Sequence, residues 1–154
     1  MDTREWFAAA AGGLGTVVEN LAPTHLGAPG LGEWDVRALL GHACRAFLTI
    51  ENYLAAARDT PPELVLEGPA DYFRAALAGM GDPAQVAQRG RDAGAALGED
   101  PIGAARQIAE RVSATVARSP DQAPVATPVG GMTLAGHLPT RAFELTVHGI
   151  DLAR

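Results

Sequence analysis

The stretch from Thr133 to Arg154 constrains the fold of this chain more than any other. Leu138, Ala142, Phe143, Leu145, Val147, Ile150 and Leu152 form an apolar run at helical density, and Thr133 stands before it as a helix cap. Such a helix has to bury a face, yet Glu144 and His148 interrupt it. Four residues apart on a helix, they share one side at about 6 Å between backbones. Polar groups that are carried into a core need partners. Either this carboxylate and imidazole pair with each other, or they share a metal ion. The spacing alone does not choose, because most such pairs are simple i,i+4 contacts. Pro139 lies inside the same helix and should kink it.

The remaining chain reads as helices separated by strong breakers. Residues 3 to 22 carry Trp6, Phe7, Leu14, Val17, Val18 and Leu21 on one face, weakened by Gly12, Gly13 and Gly15. A Pro- and Gly-rich loop follows, with His25 as an exposed loop residue. Asp35 caps a second helix that runs to Arg58, before Thr60-Pro-Pro. His42 sits well inside it among Leu39, Leu40, Ala43 and Phe47; a lone imidazole there is ordinarily a hydrogen-bonded core residue. Ala70 to Met80 predicts a short third helix. Residues 83 to 97 and Pro101 to Arg118 then read as one broken helix or two separate ones. Pro124 to Met132 predicts a small hairpin, with Gly130-Gly131 supplying the turn.

At 154 residues the chain fits one domain, residues 1–154, with enough length for a sizeable core. The expected class is all-α: a bundle of four main helices with long crossover loops, whose facing side chains can build a metal or cofactor site. A net charge of −6 without a basic stripe argues against nucleic-acid binding. No stretch approaches the ~20 apolar residues of a membrane span. The N-terminus has acids where a secretory signal needs positive charge, so the cytoplasm is the expected compartment. Cys44 is the only cysteine and reads as a small buried apolar residue. All twelve basic residues are arginine, beside abundant Ala and Gly, a GC-rich codon usage that points to an actinobacterial source.

Two motifs together carry a resemblance. Trp34-Asp-Val-Arg-Ala-Leu-Leu-Gly-His42, followed much later by Leu138-Pro-Thr-Arg-Ala-Phe-Glu144-Leu-Thr-Val-His148-Gly-Ile-Asp-Leu-Ala153, resembles the N-terminal metal-binding domain of mycothiol-dependent maleylpyruvate isomerases, DinB-like metalloenzymes. The resemblance covers essentially the whole chain. It implies a four-helix bundle and a divalent metal, usually zinc with Ni2+ or Fe2+ as alternatives, held by His42, Glu144 and His148. Two imidazoles and a carboxylate suit zinc, and three protein ligands leave a position open, as catalytic zinc sites do. By the same resemblance mycothiol is the co-substrate, activated as a thiolate for attack on an electrophile. Two-domain members add a C-terminal domain that supplies a cation for substrate carboxylates. The sequence given stops at Arg154, so it is expected to be the metal-binding domain, with further C-terminal residues of a longer protein left open.

Three more residues flank this set. Asp151, three residues after His148, either orients that ring or is a solvated acid paired with Arg154. Arg141 reads as a structural partner of an acid such as Asp35 or Glu51, the alternative being a cation that faces the site and binds a carboxylate of the thiol. His137 lies about 10 Å along the helix from Glu144, too far to share an ion, and reads as a pocket-rim residue. Trp34 reads as a core anchor. The leading expectation is a thiol transferase or isomerase acting on an electrophile that the sequence does not identify. A second is a non-catalytic metal-binding or interaction module, and a third a buried polar cluster without metal. A homodimer is left open.

Overall fold

A computed structural model describes residues 2–79 and 81–154. Met80, expected as the end of the third helix, lies outside the described residues, as does Met1. Among the described residues, six α-helices and one hairpin follow in order: α1 (Thr3–Glu19), α2 (Val36–Asp59), α3 (Pro69–Ala78), α4 (Pro83–Ala96), α5 (Pro101–Arg118), β1 (Pro124–Thr127), β2 (Gly130–Thr133) and α6 (Leu134–Leu152). Every α-helix but α3 has a side-chain cap. Asp2, Asp35, Asp82, Asp100 and Thr133 each accept a backbone N–H of the first turn, worth about 1 kcal/mol apiece.

Helices α1, α2, α5 and α6 form the bundle, with α1 along α6 and α2 against both α5 and α6. Its centre is aliphatic: Leu39, Leu40, Ile50, Val112, Leu134, Leu138 and Leu145 are essentially fully buried, with Phe47 as the large filler. The chain forms the expected all-α bundle of four main helices, and the further helices expected between them are present. The crossing from α2 to α5 is itself helical, and α4 packs extensively on α2. The reason is glycine. A Cβ on Gly41 would overlap the backbone of Ala93 and Gly94, and one on Gly90 would overlap the Trp34 ring. The two helices therefore touch backbone to backbone. α4 and α5 are separate helices, divided at Gly98, which adopts φ +77°.

The hairpin forms as expected, in register Thr127↔Gly130, but its central turn residues are Pro128 and Val129. Gly130 and Gly131 belong to β2. Gly131 instead lets a second segment approach: its carbonyl accepts the N–H groups of Val65 and Leu66. The first helix ends at Glu19, three residues earlier than expected, and His25 lies exposed in a 3-10 turn. α6 continues through Pro139. It buries Leu138, Ala142, Leu145 and Leu152, but leaves Phe143, Val147 and Ile150 exposed. Those three fall on the opposite side of the 3.6-residue period. Glu144 and His148 lie at the boundary between the two faces.

Candidate metal centre

The boundary on α6 faces α2. His42, Glu144 and His148 each bring one ligand-type atom to within 4.8 Å of the others. His148 Nε2 lies 3.1 Å from Glu144 Oε2, and the His42 and His148 rings meet edge to face at 4.7 Å between centroids. The residues that fix this arrangement are local. The Trp34 ring lies 4.5 Å from that of His42, and its indole N–H donates to the Ala87 carbonyl on α4 at 2.8 Å. Trp34 thus joins the start of α2 to α4 and bears on the His42 ring, the anchoring role expected of it. Asp151 Oδ2 lies 3.6 Å from His148 Nδ1, beyond a hydrogen bond but close enough to orient the ring electrostatically.

The charge states suit metal binding. His42 is pushed down to about 4, mainly by burial, with the charges of His148, Arg45 and Arg89 acting the same way and Glu144 opposing. Glu144 is held below the usual carboxylate range, first by its hydrogen bond with His148, and also by the charges of Arg141, His148 and His42. At neutral pH, His42 is therefore an uncharged imidazole and Glu144 a carboxylate, the forms in which both residues ligate. His42 Nδ1 and His148 Nδ1 are buried without a hydrogen-bond partner. Buried imidazoles normally satisfy both nitrogens. The unpartnered Nδ1 of His148 lies on its Asp151 side, while its Nε2, Glu144 and the His42 ring converge, and two imidazoles with one carboxylate make a donor set that fits a divalent ion.

His42 and Glu144 also line a cleft of about 320 Å³. Its walls are the α2 residues Arg45, Thr49 and Tyr53, α3 residues Tyr72 and Phe73, Arg89 of α4, and Arg141 of α6. Two larger grooves flank α1, but none of the three candidate ligands lines either. Arg141 differs from its expected role. Asp35 caps α2 and Glu51 pairs with Arg111 at 2.9 Å, so neither holds it. Buried to 7% exposure, Arg141 donates to the hydroxyls of Thr140 (2.9 Å), Thr49 (3.4 Å) and Tyr72 (3.4 Å). His137 is also corrected. It is no rim residue but fully buried, behind the rings of Tyr53 and Tyr72. Burial first, then the Arg141 charge, push it down to about 3. Cys44 is buried as expected, and burial pushes its thiol up to about 12.

Residues 4–153 match the family described as the mycothiol maleylpyruvate isomerase N-terminal domain. The chain belongs to that family. No curated protein and no solved structure matches it. The membership agrees with the helical architecture and covers both α2 and α6, the elements that carry His42, Glu144 and His148 in this mycothiol maleylpyruvate isomerase N-terminal domain. No helix of the described residues is long and apolar enough to cross a membrane.

Arg45, Thr49 and Tyr53, cleft residues that no motif marks, follow His42 at three, seven and eleven residues along one helical stripe. That periodicity was sufficient to find them. Arg89 had no such signal, since only the packing of α4 on α2 brings it to the cleft.

Proposed function

We propose that residues 1–154 act as a single divalent-metal-binding domain for thiol transfer or thiol-dependent isomerisation, with His42, Glu144 and His148 as ligands. Zinc is the metal the donor set favours, and mycothiol is the thiol suggested by the family. The observation that carries this reading is the convergence of the three donors beside a solvent-reaching cleft. A structural zinc site is closed by four protein ligands, whereas three leave room for an exogenous one.

Zinc, when bound, lowers the pKa of a thiol and so supplies a thiolate nucleophile at neutral pH. The rest is work for this chain's own residues. Neutral His42 and ionised Glu144 present lone pairs without first losing a proton. Trp34 limits rotation of the His42 ring, and Asp151 does the same for His148. Tyr72 and Phe73 on α3 cover one side of the cleft and reduce the access of water to it.

The test is thiol binding by the cobalt-substituted protein. Adding mycothiol should produce the intense near-ultraviolet charge-transfer absorption of a cobalt–sulfur bond, and Glu144→Ala, made as a control, should abolish it. Cobalt-loaded protein whose spectrum is unchanged by mycothiol would contradict the thiol-activating role and leave a metal-binding module.

A further inference from the structure

The outer face of α1 and α6 is apolar and uncharged. Among the described residues, eight large apolar side chains are exposed, and four of them lie on these two helices: Trp6 on α1, and Phe143, Val147 and Ile150 on α6. The other four are spread over loops and α3. From Trp6 to Val18, α1 holds no ionisable residue. The exposed positions of α6 from Phe143 to Ala153 are Phe143, Thr146, Val147, Ile150 and Ala153, again without charge. Glu144 and Asp151, the two acids of that stretch, lie with the metal centre. Between the two helices runs a groove of about 530 Å³, recessed where α1 places Ala9 and Gly13 and α6 places Gly149. A Cβ added at Gly13 would meet nothing within 4 Å, so the groove is open there. None of the residues lining it lines the metal cleft.

We propose that this face is the interface of a homodimer, in which α1 and α6 of two copies pack across a two-fold axis. Three observations select a second copy as the occupant. The first is charge. With −6 on each chain, two copies repel one another over most of their surface, and like charges in contact oppose docking. On a face that carries no charge they meet without such pairs. The second is shape. A two-fold contact uses the same patch twice, so the patch must hold both knobs and holes. Trp6 and Ile150 stand exposed beside a recess of small residues, so each copy's large side chains have the other's recess to enter. The third is area. α1 is 17 residues long. The face therefore measures about 25 Å by two helix widths of about 10 Å, or about 500 Å² in projection. Two copies together bury about 1,000 Å², the level a specific interface has to clear. A membrane is a poorer occupant. Helices that lie on one carry lysine or arginine along the polar rim, whereas Glu5 and Glu19 bracket the apolar stretch of α1. The contact also buries Phe143 and Val147, the immediate neighbours of Glu144 and His148. The proposal rests on this surface alone and holds whether or not the chain binds metal.

The test is sedimentation velocity of the untagged full chain between about 1 and about 100 µM. Wild type should sediment as a dimer at the upper end of that range. Ile150→Glu places an acid at an exposed position, leaves the core intact, and should weaken association by about tenfold or more. Gly13→Leu reads the same contact from its recessed side. The open space at Gly13 accepts the new side chain in the monomer, and leucine is the better helix former. This variant should therefore fold at least as well as wild type, yet associate about tenfold more weakly because the recess is filled. Leu64→Glu, at an exposed apolar residue between α2 and α3, should sediment as wild type does. Wild type that is monomeric at about 100 µM would overturn the proposal. So would a dimer that survives both interface substitutions, or one that Leu64→Glu dissociates equally. A monomer that floats with phosphatidylcholine vesicles would also overturn it and assign the face to a lipid surface.

Discussion

His137 shows how a single buried residue links folding to pH. Its ring is fully buried against Tyr53 and Tyr72, and its Nε2 has no hydrogen-bond partner. Burial pushes it down to about 3 in the folded chain, from an ordinary value of 6.5. Below pH 6.5 the unfolded chain takes a proton at this position and the folded chain does not, until the pH nears 3. The stability from neutral His137 is therefore complete above pH 6.5 and falls with pH through that window, at about 1.4 kcal/mol per pH unit. His137→Leu removes the titration. Metal-free His137→Leu protein should lose stability about one proton less steeply than wild type between pH 6 and pH 4, as measured by urea unfolding at each pH. Parallel slopes would show that the ring is protonated in the fold. The sequence already set His137 on the stripe of Glu144. It could not show the two tyrosines, one from α2 and one from α3, that close over the ring and make it a core residue.

At the scale of elements, the contact between α2 and α4 positions the metal centre. Gly41 precedes His42, and its missing side chain lets the backbone of Ala93 and Gly94 approach. The same contact brings Gly90 against Trp34, and Trp34 against His42. Gly41→Ala forces the helices apart. Overpacking of this kind ordinarily costs about 1–3 kcal/mol, so the variant should melt several degrees lower and bind zinc more weakly. An unchanged melting temperature would mean that the two helices do not pack backbone to backbone. The helices themselves were legible from caps and breakers. Asp35, Asp82, Asp100 and Thr133 mark starts that the structure reproduces to within about one residue. The packing partner of α2 was not legible. Glycines that weaken a helix in isolation read as defects until the neighbouring backbone is seen against them. The exposed face of α6 was missed for a related reason. An apolar run suggests burial all round, whereas the helical period exposes Phe143, Val147 and Ile150 on the far side from the core.

For the molecule as a whole, two distant motifs define one site. His42 stands on α2 and Glu144 and His148 on α6, about a hundred residues later in the chain, and the bundle brings their ligand atoms within 4.8 Å. Either motif alone is ordinary helix chemistry, and their joint presence was readable only through the family resemblance. The basic cleft was still less legible, because an acidic chain gives no hint that three arginines from three helices share one wall. The central claim is that the three donors hold a metal ion. Elemental analysis of untagged protein tests it most directly, with wild type and His42→Ala purified without chelators and measured before and after incubation with zinc. The account predicts about one equivalent of divalent metal, zinc foremost, in the wild type, and its loss in the variant. No metal in either protein, even after incubation with zinc, would contradict the account and leave His42, Glu144 and His148 as a polar cluster in a helical bundle.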